Sequence, residues 1–225
     1  MQTKVLTNSA ELINAAASDF SQLANRLLRQ KPRVQVLLTG GSLGIEFVRA
    51  LGKANLDFKR FDFMFSDERF VGMSDPDRNE FQGMNAWPDL VNFLRRYPGP
   101  ELSLGDARDI LENQYRGFLD QNPVVDLAVL GLGPDAHIAS LFPGHDGFGD
   151  LIIAEDDSPK PPAKRLSLSF KALNMADRVW FLASGAGKGW AVSEGMKSTG
   201  NVPAARVRGR LETVWYLDQE LSDAL

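Results

Sequence analysis

The sequence predicts an α/β protein built on one doubly wound, mostly parallel sheet with helices on both faces. Three observations carry this prediction. Short apolar runs alternate with segments of helical period from one end of the chain to the other, the order that a parallel sheet with crossover helices produces. The run VVDLAVLGLG (124–133) is almost continuously apolar, as in a strand buried on both faces. Glycine-rich or charged turns, TGGS (39–42), SDER (66–69), GLGPDAH (131–137) and SGAGK (184–188), each follow an apolar run.

Asn8 with Glu11 three residues later is a variant capping box, and Leu12, Ala16, Phe20, Leu23 and Leu27 recur at helical spacing. They predict an amphipathic helix over residues 9–30, ended by Lys31-Pro32. RVQVLLTGGS then predicts a strand closing on a Gly-Gly-Ser turn, and IEFVRALGK a helix after it. In FDFMFSDER, Phe61, Phe63 and Phe65 alternate, and Asp67-Glu68-Arg69 stands where that strand should end. Asp106 is placed to cap a helix carrying Ile110, Leu111, Tyr115, Phe118 and Leu119, after which Pro123 introduces the buried strand. RLSLSF, VWFLAS and TVWYLD are three further strands, with a helix at 187–197 between the last two. Pro88, the PGP at 98–100 and the SPKPP at 158–162 mark loops but not an interdomain linker, and there is no internal repeat. One domain over residues 1–225 is expected.

At 225 residues the chain can bury one sizeable core. Its 25 basic and 29 acidic side chains leave a net charge of −4, which argues against a general nucleic-acid binder or a basic membrane-surface protein. The absence of cysteine excludes disulfides, thiolate metal sites and a cysteine nucleophile. Two histidines are too few for an ordinary histidine zinc site, so metal chemistry is disfavoured. No apolar run approaches the ~20 residues that cross a bilayer. The N-terminus lacks the pattern of a signal peptide, and a cytoplasmic location follows as the expectation; a monomer with a small-molecule partner is expected, although no residue pattern fixes the oligomeric state.

In open α/β sheets the ligand lies at the carboxyl ends of the strands, where the four unusual turns should converge. Gly40-Gly41-Ser42 precedes a helix and taken alone reads equally as a tight βα turn or as free N–H groups presented to an anion. SGAGK repeats the arrangement, with Lys188 as a point charge for a phosphate. Lys188 is followed by Gly189, so this is not the GxxxxGK[ST] loop of a nucleoside triphosphate site. His137, two residues after Asp135, has a carboxylate within reach to orient the imidazole and raise its basicity, as a general base requires. His145, in the loop FPGHDGF, is read as a surface residue. Arg69 can fork onto a phosphate or a developing oxyanion, Asp67 beside it belongs to the same turn, and Arg78-Asn79 is read first as surface capping of the next helix.

These elements, in this order and nearly end to end, resemble the 6-phosphogluconolactonases, pentose-phosphate-pathway hydrolases of the family that also contains glucosamine-6-phosphate deaminases. LTGGS resembles the family's first-strand turn, SDERFV its Asp-Glu-Arg motif, VVDLAVLGLGPDAHIASLFPG its histidine segment and DSPKPPAKRLSLSF its proline-rich loop and next strand. Arg78-Asn79 and Gly44-Ile45 look most like actinobacterial-type members. The resemblance implies a NagB/RpiA/CoA transferase-like fold and hydrolysis of 6-phospho-D-glucono-1,5-lactone without metal or organic cofactor. It implies His137 as the base, Asp135 as its partner, Arg69 at the anion or oxyanion, and a phosphate held by Gly40, Gly41, Ser42, Lys188 and Arg78, with Asp67 in the binding turn. Two residues depart from the family pattern. Ala136 stands where the family has the glycine of Asp-Gly-His, and a left-handed backbone is expected there at a cost of about 1 kcal/mol. Leu43 stands where Gly-Gly-Ser-Thr has its threonine.

Two rivals remain. An amino-sugar-phosphate isomerase-deaminase of the same scaffold resembles this chain at Asp-x-His. It carries Asp-Glu-Tyr where Arg69 stands, and an acidic Asn-Glu-Pro segment where this chain has Leu141-Phe142-Pro143. A catalytically silent sugar-phosphate sensor is motivated by Ala136 and Leu43.

Overall fold

The computed structural model describes residues 1–120, 124–145, 147, 149–197 and 199–225. Strand β1 (Gln2–Leu6) leads into helix α1 (Ser9–Leu28), whose start is fixed by Asn8: its side chain accepts the Glu11 N–H at 3.0 Å. The apolar stripe Leu12, Ala16, Phe20, Leu23 and Leu27 is buried, and the helix stops two residues before the expected end. Strand β2 (Val34–Leu38) and helix α2 (Gly41–Leu51) form the first strand, turn, helix unit. Strand β3 (Phe61–Phe65) is followed at once by β4 (Asp67–Arg69), and helix α3 (Asn79–Ala86) lies beyond it. Helix α4 (Leu104–Asp120) precedes β5 (Val125–Gly131). The remaining elements are β6 (Ile152–Glu155), β7 (Arg165–Leu168), α5 (Phe170–Leu173), β8 (Ala176–Ala183), α6 (Gly189–Met196), β9 (Glu212–Asp218) and α7 (Gln219–Ser222).

Six strands form the main sheet in the order β1-β9-β8-β5-β2-β3, every neighbouring pair parallel. Strand β2 is buried at all five positions and β5 at its first six, so the middle of the sheet is covered on both faces, as a parallel sheet requires. Phe61 and Phe63 stack at 5.6 Å, and Phe58, Trp87 and Phe93 close around them at the β3 edge.

From β2 the chain adds β3 on one side, then returns to place β5 on the other. This reversal of strand order splays apart the loops that leave the carboxyl ends of β2 and β5, and such a switch point is where open α/β sheets bind ligands. The Thr39 hydroxyl accepts the Gly131 N–H across it at 3.1 Å.

Several elements differ from the sequence expectation. The aromatic strand ends at Phe65, before residues 67–69 as expected, but those residues are not a turn: they form β4 of a second, antiparallel sheet, β4-β7-β6. RLSLSF supplies β7 of that sheet rather than a strand of the parallel one. The main chain turns out of the first sheet at Ser66, whose N–H donates to Leu38 O and whose carbonyl accepts the Leu168 N–H. The cap of α4 is Ser103, not Asp106: the Ser103 hydroxyl accepts the Asp106 N–H at 3.1 Å and donates to the Asp106 carboxylate at 2.6 Å. Ile110 is exposed while Leu111, Tyr115, Phe118 and Leu119 are buried. Pro123 lies outside the described residues. The helix expected at 187–197 is α6, preceded by a 3-10 turn over Ala186–Lys188.

Candidate active site

The turn after β2 is shaped by contact as much as by conformation. A Cβ on Gly40 would sit 1.9 Å from the Asn79 side-chain oxygen, so only glycine lets α3 close against this turn. Gly40 is the N-cap of α2 and offers no side-chain cap, which leaves the first N–H groups of the helix without a side-chain partner. Gly40, Gly41 and Ser42 all line a cleft of about 220 Å³ at the switch point.

From β4 come Asp67 and Arg69. The Asp67 carboxylate accepts the Ser140 hydroxyl at 2.6 Å, and Arg69 donates through Nη1 to Asp77 O at 2.6 Å while its buried Nε has no hydrogen-bond partner. Glu68 between them turns inward and caps α3, its two oxygens accepting the N–H groups of Asn79 and Glu80 at 2.7 and 2.8 Å. Burial and the facing Glu80 push the Glu68 carboxyl up to about 8, against those hydrogen bonds and Arg78.

The loop after β5 carries the histidine. The Gly133 N–H donates to His137 O and the Ala136 N–H to Gly133 O, both at 3.0 Å, closing a tight turn. Ala136 has φ 61°, the left-handed conformation the sequence predicts for it, and its carbonyl accepts the Ala204 N–H at 3.1 Å. The turn folds the imidazole back over Gly133, where a Cβ would lie 1.9 Å from the ring. His137 Nδ1 meets Asp135 Oδ1 at 2.5 Å, and the Phe142 ring packs 4.9 Å from the imidazole. With Nδ1 engaged, Nε2 is the ring nitrogen left for a ligand. Burial lowers the His137 pKa, Asp135 raises it and the Lys160 ammonium lowers it again, with a net downward displacement. Burial works against the Asp135 carboxylate, but the bond to His137 and the charges of His137 and Lys160 outweigh it and hold its pKa below the ordinary value.

Lys188 ends the 3-10 turn after β8, and burial lowers its pKa against the opposing pull of Asp218. It borders the cleft together with Ser42, and the same two residues also border an adjoining groove of about 590 Å³ between α1 and α2. Lys188 and the α2 N-terminus therefore border the same cleft. Arg165, the first residue of β7, completes the lining from below, with its guanidinium bound to the carbonyls of Lys160, Pro161 and Pro162.

The model of the family described as glucosamine-6-phosphate isomerases/6-phosphogluconolactonase matches residues 7–215. The chain belongs to this family. It is 35% identical to the 6-phosphogluconolactonase of Streptomyces coelicolor over 212 residues, which cover 84% of this chain and 81% of that protein. The 6-phosphogluconolactonase of Thermotoga maritima is 34% identical over 201 residues, covering 85% and 87%. The crystal structure of the Thermotoga maritima enzyme matches with a TM-score of 0.88 at 28% identity, over 97% of this chain and 99% of that one. A monomeric glucosamine-6-phosphate deaminase, 20% identical, shares the fold with a TM-score of 0.80.

For this family member the four turns read from the sequence do converge: Gly40, Gly41, Ser42, Asp67, Arg69, His137 and Lys188 line one cleft, with Asp135 behind His137. Arg78 is the correction. It is fully buried and bonds Glu80, Val71 O and Tyr97 O, so it is neither a surface cap nor within reach of a ligand in the cleft. His145 is half-buried rather than free, its Nδ1 2.8 Å from a Glu155 oxygen. Sequence reasoning missed Arg165 and Lys160 and set Asn79 aside. SPKPP and the strand after it were visible as motifs, but β7 is four residues long, too short for periodicity to show which side chain faces the cleft.

Proposed function

We propose that this chain hydrolyses 6-phospho-D-glucono-1,5-lactone to 6-phosphogluconate, with His137 as general base. The observation that carries the reading is the Asp135–His137 pair opening onto a cleft whose charged lining is Arg69, Arg165 and Lys188 against Asp67. Such a lining suits a substrate with a phosphate at one end and a carbonyl that becomes an oxyanion at the other. The phosphate sits on the uncapped α2 N-terminus at Gly40, Gly41 and Ser42, with Lys188 beside it. Arg69, partly unsatisfied, and Arg165 face the carbonyl end. Asp67 accepts a sugar hydroxyl, since a carboxylate would repel the phosphate.

Nε2 of His137 takes a proton from water as the water oxygen bonds to C1 and the carbonyl electron pair moves onto its oxygen. The C1 to ring-oxygen bond then breaks, and the ring oxygen takes the proton from Nε2. Asp135 holds the tautomer and steadies the transient imidazolium. General-base help of this kind contributes ~10²- to 10⁴-fold, and holding the carbonyl at the base by its remote phosphate adds a positioning effect.

No step asks for a metal, and among the described residues no three His, Asp or Glu side chains are grouped to hold one. No described helix is long and apolar enough to cross a membrane. The site draws on residues from 39 to 188, which supports one domain over the chain, and a charged phosphosugar substrate supports a cytoplasmic location. The test generates the lactone in situ from glucose 6-phosphate and follows its loss against the spontaneous rate, before and after EDTA. Equal acceleration in both supports the reading. Ammonia release from glucosamine 6-phosphate without lactone hydrolysis would replace it with the deaminase, and activity restored only by added metal would remove the metal-free mechanism.

A further inference from the structure

We propose that Lys160 is a positioning residue for the hydrolysis: its ammonium, held against the Nδ1 side of His137, opposes a second positive charge on that ring and drives the proton taken from water onward to the departing ring oxygen. The inference rests on the lactonase reading of the cleft and adds a residue that the reading does not need.

Lys160 Nζ lies 3.2 Å from His137 Nδ1 and 3.4 Å from Asp135 Oδ1. An ammonium has donors only. It gains nothing from an Nδ1 that carries a proton for Asp135, so its favourable partner is the Asp135 oxygen that His137 also uses. While the imidazole is neutral, one carboxylate serves one cation. Once Nε2 has taken a proton, two cations share that carboxylate, and the protonated ring is the one that can discharge. Lys160 does not itself line the cleft; its ammonium meets the site at His137 Nδ1 and Asp135 Oδ1.

The remaining charges near the ring do not duplicate this effect. Asp67 on β4 acts on the imidazole in the opposite direction, and Arg69, Arg165 and Lys188 belong to the cleft lining and its bound anion. The loop also holds its shape without the lysine side chain. Its main chain is tied by Arg165 to the carbonyls of residues 160–162 and by Ser158 to both the N–H and the carbonyl of Lys160.

The chain has two histidines, so an NMR titration of the imidazoles reads His137 directly with His145 as the internal control. In Lys160→Met the His137 midpoint should rise by about one pH unit, the effect of removing a neighbouring like charge, while His145 stays in place. Lys160→Arg, which keeps the charge, should stay near wild type. The acid limb of the kcat/KM profile should move with the His137 midpoint. A His137 midpoint unchanged in Lys160→Met, or moved as far by Lys160→Arg, would overturn the proposal whatever the activity. A His137 midpoint that responds as expected in a protein without lactonase activity would instead overturn the functional reading.

Discussion

Ala136 places a side chain where the backbone is left-handed and the methyl group is fully buried. The strain costs about 1 kcal/mol, the buried methyl returns about 0.8 kcal/mol, and glycine would also loosen the unfolded chain. Ala136→Gly should therefore melt within a few degrees of wild type and keep its activity. Ala136→Val, a branched side chain at φ 61° in a closed space, should lose about 2 kcal/mol or more; a wild-type melting temperature for the valine variant would mean that the turn is not held as described. Lys188 and Arg69 separate by substrate. Lys188→Ala should weaken 6-phosphogluconate binding at least tenfold and leave the slow turnover of unphosphorylated gluconolactone unchanged, whereas Arg69→Ala should slow both lactones. Equal losses in the two variants on both substrates would remove the division into phosphate and carbonyl ends. At this scale the sequence shows the residues that strand ends must deliver, such as His137 and Lys188, because turn position alone places them. It does not show that Arg78 is buried: that depends on Glu68, Glu80 and Tyr97 coming from three separate segments.

Helix α3 and the turn into α2 form a locked pair. Asn79 is held by its N–H on Glu68 and by its side-chain amide on Asp67 O at 2.9 Å, so it cannot retreat from Gly40. Gly40→Ala should push the two apart and raise the KM for the lactone about tenfold or more, and Asn79→Ala should return part of that loss, because it removes the atoms that the new methyl meets. Steady-state kinetics of the two single variants and the double variant decide this, and strictly additive losses would contradict the clash. Long or strongly apolar elements were legible in the sequence: α1 from its stripe, β5 and β8 from their apolar runs. Of the short ones only β7 was, as the run RLSLSF. Strand β1 carries Thr3 and Lys4 on an edge with little burial, and β4 and β6 have three and four residues, so the antiparallel pairing that gathers Asp67, Arg69 and Arg165 in a second sheet leaves no local trace.

Across the whole molecule, the switch in strand order between β2 and β5 opens the cleft, and the second sheet closes its floor with Arg69 and Arg165. The parallel architecture and the convergence of four turns at one rim follow from alternation and strand-end chemistry, which one sequence displays. The floor comes from long-range pairing between β4 and β7, almost a hundred residues apart, which local patterns do not display. The proposed hydrolysis depends on one proton acceptor in that cleft. The decisive measurement is the turnover of His137→Asn on 6-phosphogluconolactone, corrected for spontaneous hydrolysis, together with its affinity for 6-phosphogluconate. A fall in kcat of ~10²- to 10⁴-fold with product affinity near wild type is the predicted result; wild-type turnover in His137→Asn would contradict it.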